Sequence, residues 1–399
     1  MQLTFWQKAR YWVLLLLVFL FIISVHPTIV SMSRNAGLGS GTILSRYIIV
    51  LFGAVFVMCF HFQSIMRAKL MRVSLVIYSL ILFYYLITWA LFGERAMMSD
   101  VRAVAICLVA VMIGWQLDLD EKRFNVLLMV FAGLTIYVGL QQVFTNNGGF
   151  IIRDHYETDN KNSLGAMLST SAIVLLFLGL NHQQRGAKKI LFFGLAILAL
   201  VILLTIRARA ATLATFIMFL YILYERFKGK NFIIYLIIGL MLSAALFVVM
   251  PSSIKDYVYN SFVQNYEEGD ITTGRTERNA VALNILSRHL LFGNLDQGIY
   301  VDQIHNYPLN RTFEFGVVFV FPILLMYLYL LIYTIVMTIK SNNRNTHNIG
   351  YYLLLIPFII SMAEPTFPYG PGTATLFNFI LFGLSLRYSY NARCCLNRA

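Results

Sequence analysis

The sequence predicts an all-α fold, a polytopic transmembrane bundle of about 12 spans with one large polar loop that carries short helices of its own. Three observations carry that prediction. Hydrophobic residues make up 59% of the chain, only 12% of it is charged, and the mean hydropathy is +0.72. Apolar runs of about 20 residues recur along its length, the thickness of a bilayer core in helical rise. The charges that remain fall in short clusters between those runs. No ordinary soluble domain is that apolar, so residues 1–399 read as a single integral membrane domain.

The spans fall at 11–31, 46–63, 73–92, 101–116, 124–144, 164–181, 190–206, 208–224, 232–250, 313–339, 349–364 and 372–390. The first run is long, lacks a small-residue cleavage site and precedes many others, which marks a signal anchor rather than a cleaved signal peptide. Only a tight turn at Arg207 to Arg209 separates the seventh span from the eighth. The net charge is +13, but in a membrane protein its location matters more than its sum, and nucleic acid is not an expected partner. One set of connections holds Lys8 and Arg10; Arg67, Lys69 and Arg72; Lys122 and Arg123; Arg185, Lys188 and Lys189; Arg226, Lys228 and Lys230; Lys340 and Arg344; and Arg387, Arg393 and Arg398. Only Asp118, Asp120, Glu121 and Glu225 offset them. Positive charge is retained on the cytoplasmic side, so both termini are expected there. The other side then receives 145–163, the Arg207–Arg209 turn, the long loop 251–312 and the short turn from Pro365 to Gly372. The long loop has helical stretches such as 276–290 and is expected to pack over the bundle.

Cys59 and Cys107 lie in apolar runs, and Cys394 and Cys395 adjoin in the tail. Neither a disulfide framework nor a zinc site follows from that spacing. No phosphate-binding Gly-rich loop, dinucleotide turn or nucleotide-binding domain is present, and the far side has no Asp-x-Asp. The expectation is a reaction with no metal or other cofactor, on a substrate that arrives already activated.

Five stretches carry candidate chemistry. In Ile304-His305-Asn306-Tyr307-Pro308, Asn306 is a good N-cap and Pro308 suits the first helical turn. His305 then sits at the positive end of a helix, where the dipole favours the neutral ring and the imidazole can act as a base. A plain interfacial histidine predicts the same residue. Arg207 and Arg209 lie within or beside apolar sequence, where charge is expensive and marks a functional site by default. Their planar forks suit phosphate, although at i and i+2 one of them can snorkel to the headgroups. In the loop, Thr272 or Thr273 can cap a helix and Gly274 admits a ligand close to the backbone. Arg275 and Arg278, three apart, share a face near that helix's positive end; Glu277 can equally neutralise either one. Lys161 and Asn162 open the sixth span with polar groups and exposed amides, as a ligand site or a plain cap would. Glu364, before the rigid aromatic turn of Pro365, Phe367, Pro368 and Tyr369, can touch a sugar or belong to an interfacial belt.

Taken in order, these pieces resemble the bacterial O-antigen ligase and polymerase superfamily. His305-Asn306, nine residues and Gly316 are similar to the ligase pattern of His, a small polar residue, nine residues, Gly, two residues, and Gly, Thr or Tyr. Phe319 stands at the last position, a departure from it. Glu314 matches the acidic residue two before the glycine. Arg207-Ala208-Arg209-Ala210, Gly274-Arg275 and Lys161-Asn162 resemble three further family elements. The resemblance implies an inner-membrane glycosyltransferase with a periplasmic active site. It would take an undecaprenyl-diphosphate-linked glycan as donor and lipid A–core oligosaccharide as acceptor (ligase) or a second lipid-linked repeat unit (polymerase). Arg207, Arg209, Arg275 and Arg278 would hold the diphosphate, Lys161, Asn162, Asn306 and Glu314 would bind substrate, and His305 would deprotonate the acceptor. A transporter for an amphipathic anion is the reading from another class. It predicts inverted repeats with broken helices near mid-membrane, and no such pair is visible.

Overall fold

The computed structural model describes residues 65–93, 97–117, 119–145, 158–181, 186–206, 208–227, 275–295, 304–341, 345–370 and 373–396, with isolated positions between 9 and 16 and between 233 and 248. These residues are helical, with no strand among them. The helices are α1 (Lys69–Phe92), α2 (Met97–Gln116), α3 (Glu121–Thr145), α4 (Thr158–Leu180), α5 (Ala187–Thr205), α6 (Arg209–Arg226), α7 (Arg275–Arg288), α8 (Tyr307–Lys340), α9 (Ile349–Ser361, preceded by a 3-10 turn) and α10 (Thr373–Leu396). Six of them, α1 to α5 and α8, are long and apolar enough to cross a membrane. The expected span 46–63 lies outside the described residues, and 11–31 and 232–250 do so but for those isolated positions; each remaining one falls on a helix. α9 is short, because Met362 and Ala363 already turn the chain towards Glu364.

α4 is the hub. Nearly its whole apolar stretch is buried, whereas most of the apolar stretch of α1 and of α5 is not, as in helices facing lipid. α3, α5, α6, α9 and α10 all pack on α4, and α2 packs chiefly on α10. Lipid is as apolar as leucine, so close backbone approach and polar ties between helices replace the hydrophobic effect. Both are present. A Cβ on Gly114 would fall on the carbonyl of Ile380, and one on Gly383 on that of Val111, so α2 and α10 touch backbone to backbone. Thr215 Oγ1 donates to Ser169 Oγ at 2.7 Å, and Asn378 Nδ2 to Thr170 Oγ1 at 3.1 Å. These bonds fasten α6 and α10 to α4.

The helix ends sort into two groups. At one end Arg226 donates to Leu180 O, Asn181 to Thr346, and Tyr352 to Glu225, while His347 Nε2 lies 3.3 Å from Leu119 O. Lys69, Arg72, Lys122, Arg123, Lys188, Lys189, Arg226 and Lys340 belong to the helix termini of this end, and Arg387 lies further inside α10, over the Trp115 ring. At the other end meet the starts of α2, α4, α6 and α8 and the turn after α9. Successive described helices therefore alternate in direction.

α8 is not one continuous rod. Gly316 has φ +69° and interrupts it. A side chain there would be strained and would strike the carbonyl of Leu291. The interruption frees backbone groups, and the 289–295 turn satisfies them. Val317 N–H donates to Leu290 O (2.9 Å), Val318 N–H to Leu291 O (3.2 Å), and Asn294 N–H to Phe313 O (2.9 Å). The segment after α7 is thus clasped to α8. Upstream, Ala282 of α7 packs with Ile304 and Phe313, so α7 rests against the start of α8. Phe319, where the resembled pattern has Gly, Thr or Tyr, fills a ring cluster with Tyr84, Phe92 and Phe292.

Candidate functional site

Asn306 caps α8 as its sequence predicts. Its Oδ1 accepts from Leu309 N–H at 3.0 Å, its own carbonyl accepts from Asn310 N–H at 2.8 Å, and Pro308 occupies the first turn. The other half of the amide faces outward from the helix: Nδ2 donates to Met362 O at 3.2 Å. That bond ties the start of α8 to the turn that follows α9.

The turn carries Glu364. Its carboxylate is almost fully buried and accepts from Asn162 Nδ2, at the start of α4, at 2.9 Å. The same oxygen, Oε2, stands 3.9 Å from His305 Nδ1. That nitrogen is buried and has no hydrogen-bond partner. The side chain of His305 is 17% exposed, and this exposure belongs to its other atoms. Three stretches far apart in sequence, at 162, 305–306 and 362–364, so meet around one imidazole. Phe367 and Tyr369 are buried, with Tyr369 Oη unpaired and its ring set edge-on against Tyr307. An interfacial belt would leave them exposed, so the turn folds back into the bundle.

Comparison with known proteins adds nothing here. The chain matches no protein-family model and no curated protein. Its site is read from its own residues.

One turn into α8 lies a second polar cluster that the sequence reading passed over. Arg311 Nε is 3.0 Å from Asp100 Oδ1, with its N–H not aligned on the carboxylate, and the guanidinium also pairs closely with Glu314. Tyr307 Oη donates to Asp100 Oδ1 at 3.3 Å, and Asn310 Nδ2 donates to Glu314 Oε1 at 3.1 Å. Arg311 further covers the Tyr307 ring, 5.5 Å from its centroid. Glu314 thus serves as a partner of Arg311, and Arg311 is held between two carboxylates. The signal was available: Asp100 and Arg311 both adjoin apolar runs, where ionisable residues are costly.

Of the remaining expected residues, Arg209 is half-buried at the first position of α6. The preceding Ala208 sits where a Cβ on Gly165 would strike it, which places this helix start beside that of α4, one turn from Asn162. Arg278 is half-buried on α7, on the face that Ala282 presents to Ile304 and Phe313. Arg207, with Thr272, Thr273 and Gly274, lies outside the described residues, as do the side chains of Lys161 and Arg275. Among the described residues, no three His, Cys, Asp or Glu stand together as a metal site.

Proposed function

We propose that the protein is a glycosyltransferase of the O-antigen ligase type, acting at the periplasmic face of a bacterial inner membrane. The observation that supports it is the meeting of His305, Glu364 and Asn162 at the bundle end opposite the basic connections. The acceptor hydroxyl gives its proton to His305 as its oxygen bonds to the anomeric carbon of the donor sugar. The bond from that carbon to phosphate breaks, and undecaprenyl diphosphate leaves with the electron pair. Charge grows on the diphosphate in this step, and donors fixed beforehand stabilise it best. Arg209 and Arg278 supply the opposing positive charge, with Arg207 and Arg275 as their neighbours in sequence. Asn306 and Asn162 hold the frame, and Lys161 adds a cation at the α4 start. The polymerase alternative uses the same donor chemistry and differs only in its acceptor.

Reconstitution in liposomes with a lipid-linked glycan tests the proposal. Product on lipid A–core supports the ligase, product on a second lipid-linked unit the polymerase, and transfer to neither overturns the glycosyltransferase. The topology has its own test, single-cysteine labelling in a background without the four native cysteines. Residue 260 is expected to label from outside the inner membrane, and positions in 64–72 only after the inner face is exposed.

Arg209→Ala is expected to abolish transfer while the protein still accumulates, and Arg275→Ala to do the same. Lysine is expected to rescue poorly, because a point charge lacks the two parallel donors of the fork. Full activity with lysine at both positions would reduce the clamp to general electrostatics.

A further inference from the structure

We infer that Glu364 is a positioning residue that holds the His305 imidazole through its Nδ1 edge and stabilises the positive charge the ring acquires. The inference rests on the proposed role of His305 as base. Its grounds are geometric. The carboxylate oxygen nearest the ring, Oε2, is 3.9 Å from Nδ1, too far for a hydrogen bond and near enough for one after a small shift on substrate binding. Nδ1 is buried and lacks any other partner. It is the edge that a protein acceptor must satisfy if Nε2 is to stay unprotonated and accept a proton.

Glu364 is itself held. Asn162 Nδ2 fixes Oε2 from α4, and Asn306 Nδ2 fixes the Met362 carbonyl two residues earlier. The carboxylate therefore keeps its place independently of the ring. The other charged groups of this end are otherwise engaged or set on neighbouring elements. Asp100 of α2 and Glu314 of α8 pair with Arg311, and Arg209 and Arg278 stand on α6 and α7. A carboxylate 3.9 Å from Nδ1 stands close enough to favour the positive charge that the ring acquires during transfer.

The donor pattern makes two substitutions informative. Asn162 Nδ2 donates towards Oε2, so Glu364→Gln is expected to place its carbonyl oxygen there. That keeps the acceptor beside Nδ1 and removes only the charge. Glu364→Ala removes both. The expected result in liposomes is a fall in kcat of about ten- to hundredfold for Glu364→Gln and a larger one for Glu364→Ala, with the donor KM unchanged. In a His305→Ala background neither substitution is expected to lower the residual rate further, because residues that act as a unit are not additive.

A second measurement needs no glycan. Acylation of an imidazole by diethyl pyrocarbonate also builds positive charge on the ring. At a fixed, mildly alkaline pH, peptide mass analysis is expected to show His305 reacting about tenfold more slowly in Glu364→Gln, with His289 and His347 unchanged. Wild-type reactivity at His305 overturns the inference, and so does equal slowing at all three histidines. If the wild-type protein transfers no glycan but His305 still slows selectively, the proposed function fails and the pairing stands. Should neither variant accumulate, Asn162→Ala frees the carboxylate from its tether and carries the same prediction for His305.

Discussion

His305→Ala is expected to lower glycan transfer by about 10²–10⁴-fold, the usual loss when a positioned acid–base group is removed, with donor binding retained. The geometry makes this substitution clean. Asn306, not His305, caps α8, and the cap bonds to Leu309 and Asn310 use atoms of Asn306 alone. Glu364 keeps its bond from Asn162 when the ring is gone. The fold therefore has little reason to respond. His289→Ala is the control, since His289 belongs to the turn that clasps α8, away from the Glu364 contact, and it is expected to leave transfer intact. Wild-type turnover in His305→Ala would remove the histidine from the chemistry. Lost donor binding with an unchanged rate at saturating donor would move it into the diphosphate clamp.

Much of this end of the molecule could be read before its folding was known. Asn306 and Pro308 announce a helix start through local chemistry, and the structure puts the cap there. Glu364 was visible as a carboxylate at a span's end. Its partners were not, because Asn162 is 202 residues away, and nothing local to either stretch encodes their meeting. The buried Asp100–Arg311 pair was missed for a related reason. Arg311 and Asp100 each adjoin an apolar run, far apart in the chain, and only packing shows that they neutralise each other. Gly316 was read as a motif position. The structure gives it a physical cause, a positive φ and a neighbouring turn that leaves no room for a Cβ. Arg207 and Arg275 were singled out from charge, spacing and resemblance, none of which places a side chain.

Arg311→Leu is expected to destabilise the bundle by about 3–5 kcal/mol, the cost of breaking a buried ion pair from one side. Asp100 is 2% exposed at the start of α2, and its Oδ2 already lacks a partner. Without Arg311, its carboxylate would keep only the 3.3 Å bond from Tyr307. Glu314 would suffer less, because it is about one-third exposed and water can take the place of the guanidinium. The penalty therefore lies in Asp100, and that yields a sharper test than the single variant. Adding Asp100→Asn to Arg311→Leu removes the stranded charge while leaving an amide oxygen for Tyr307, and should recover more than half of the loss. Arg311→Lys keeps the charge but gives up the fork that serves two carboxylates at once, and should fall between. Unfolding of the purified protein in a detergent titration, followed by tryptophan fluorescence, measures all three. A double variant no more stable than Arg311→Leu alone would show that the loss comes from packing around Tyr307, Tyr327 and Tyr369 and not from the buried charge. The stack of Tyr307 on Tyr327, 5.8 Å between ring centroids, would then be what holds the first turn of α8, and with it His305, in place.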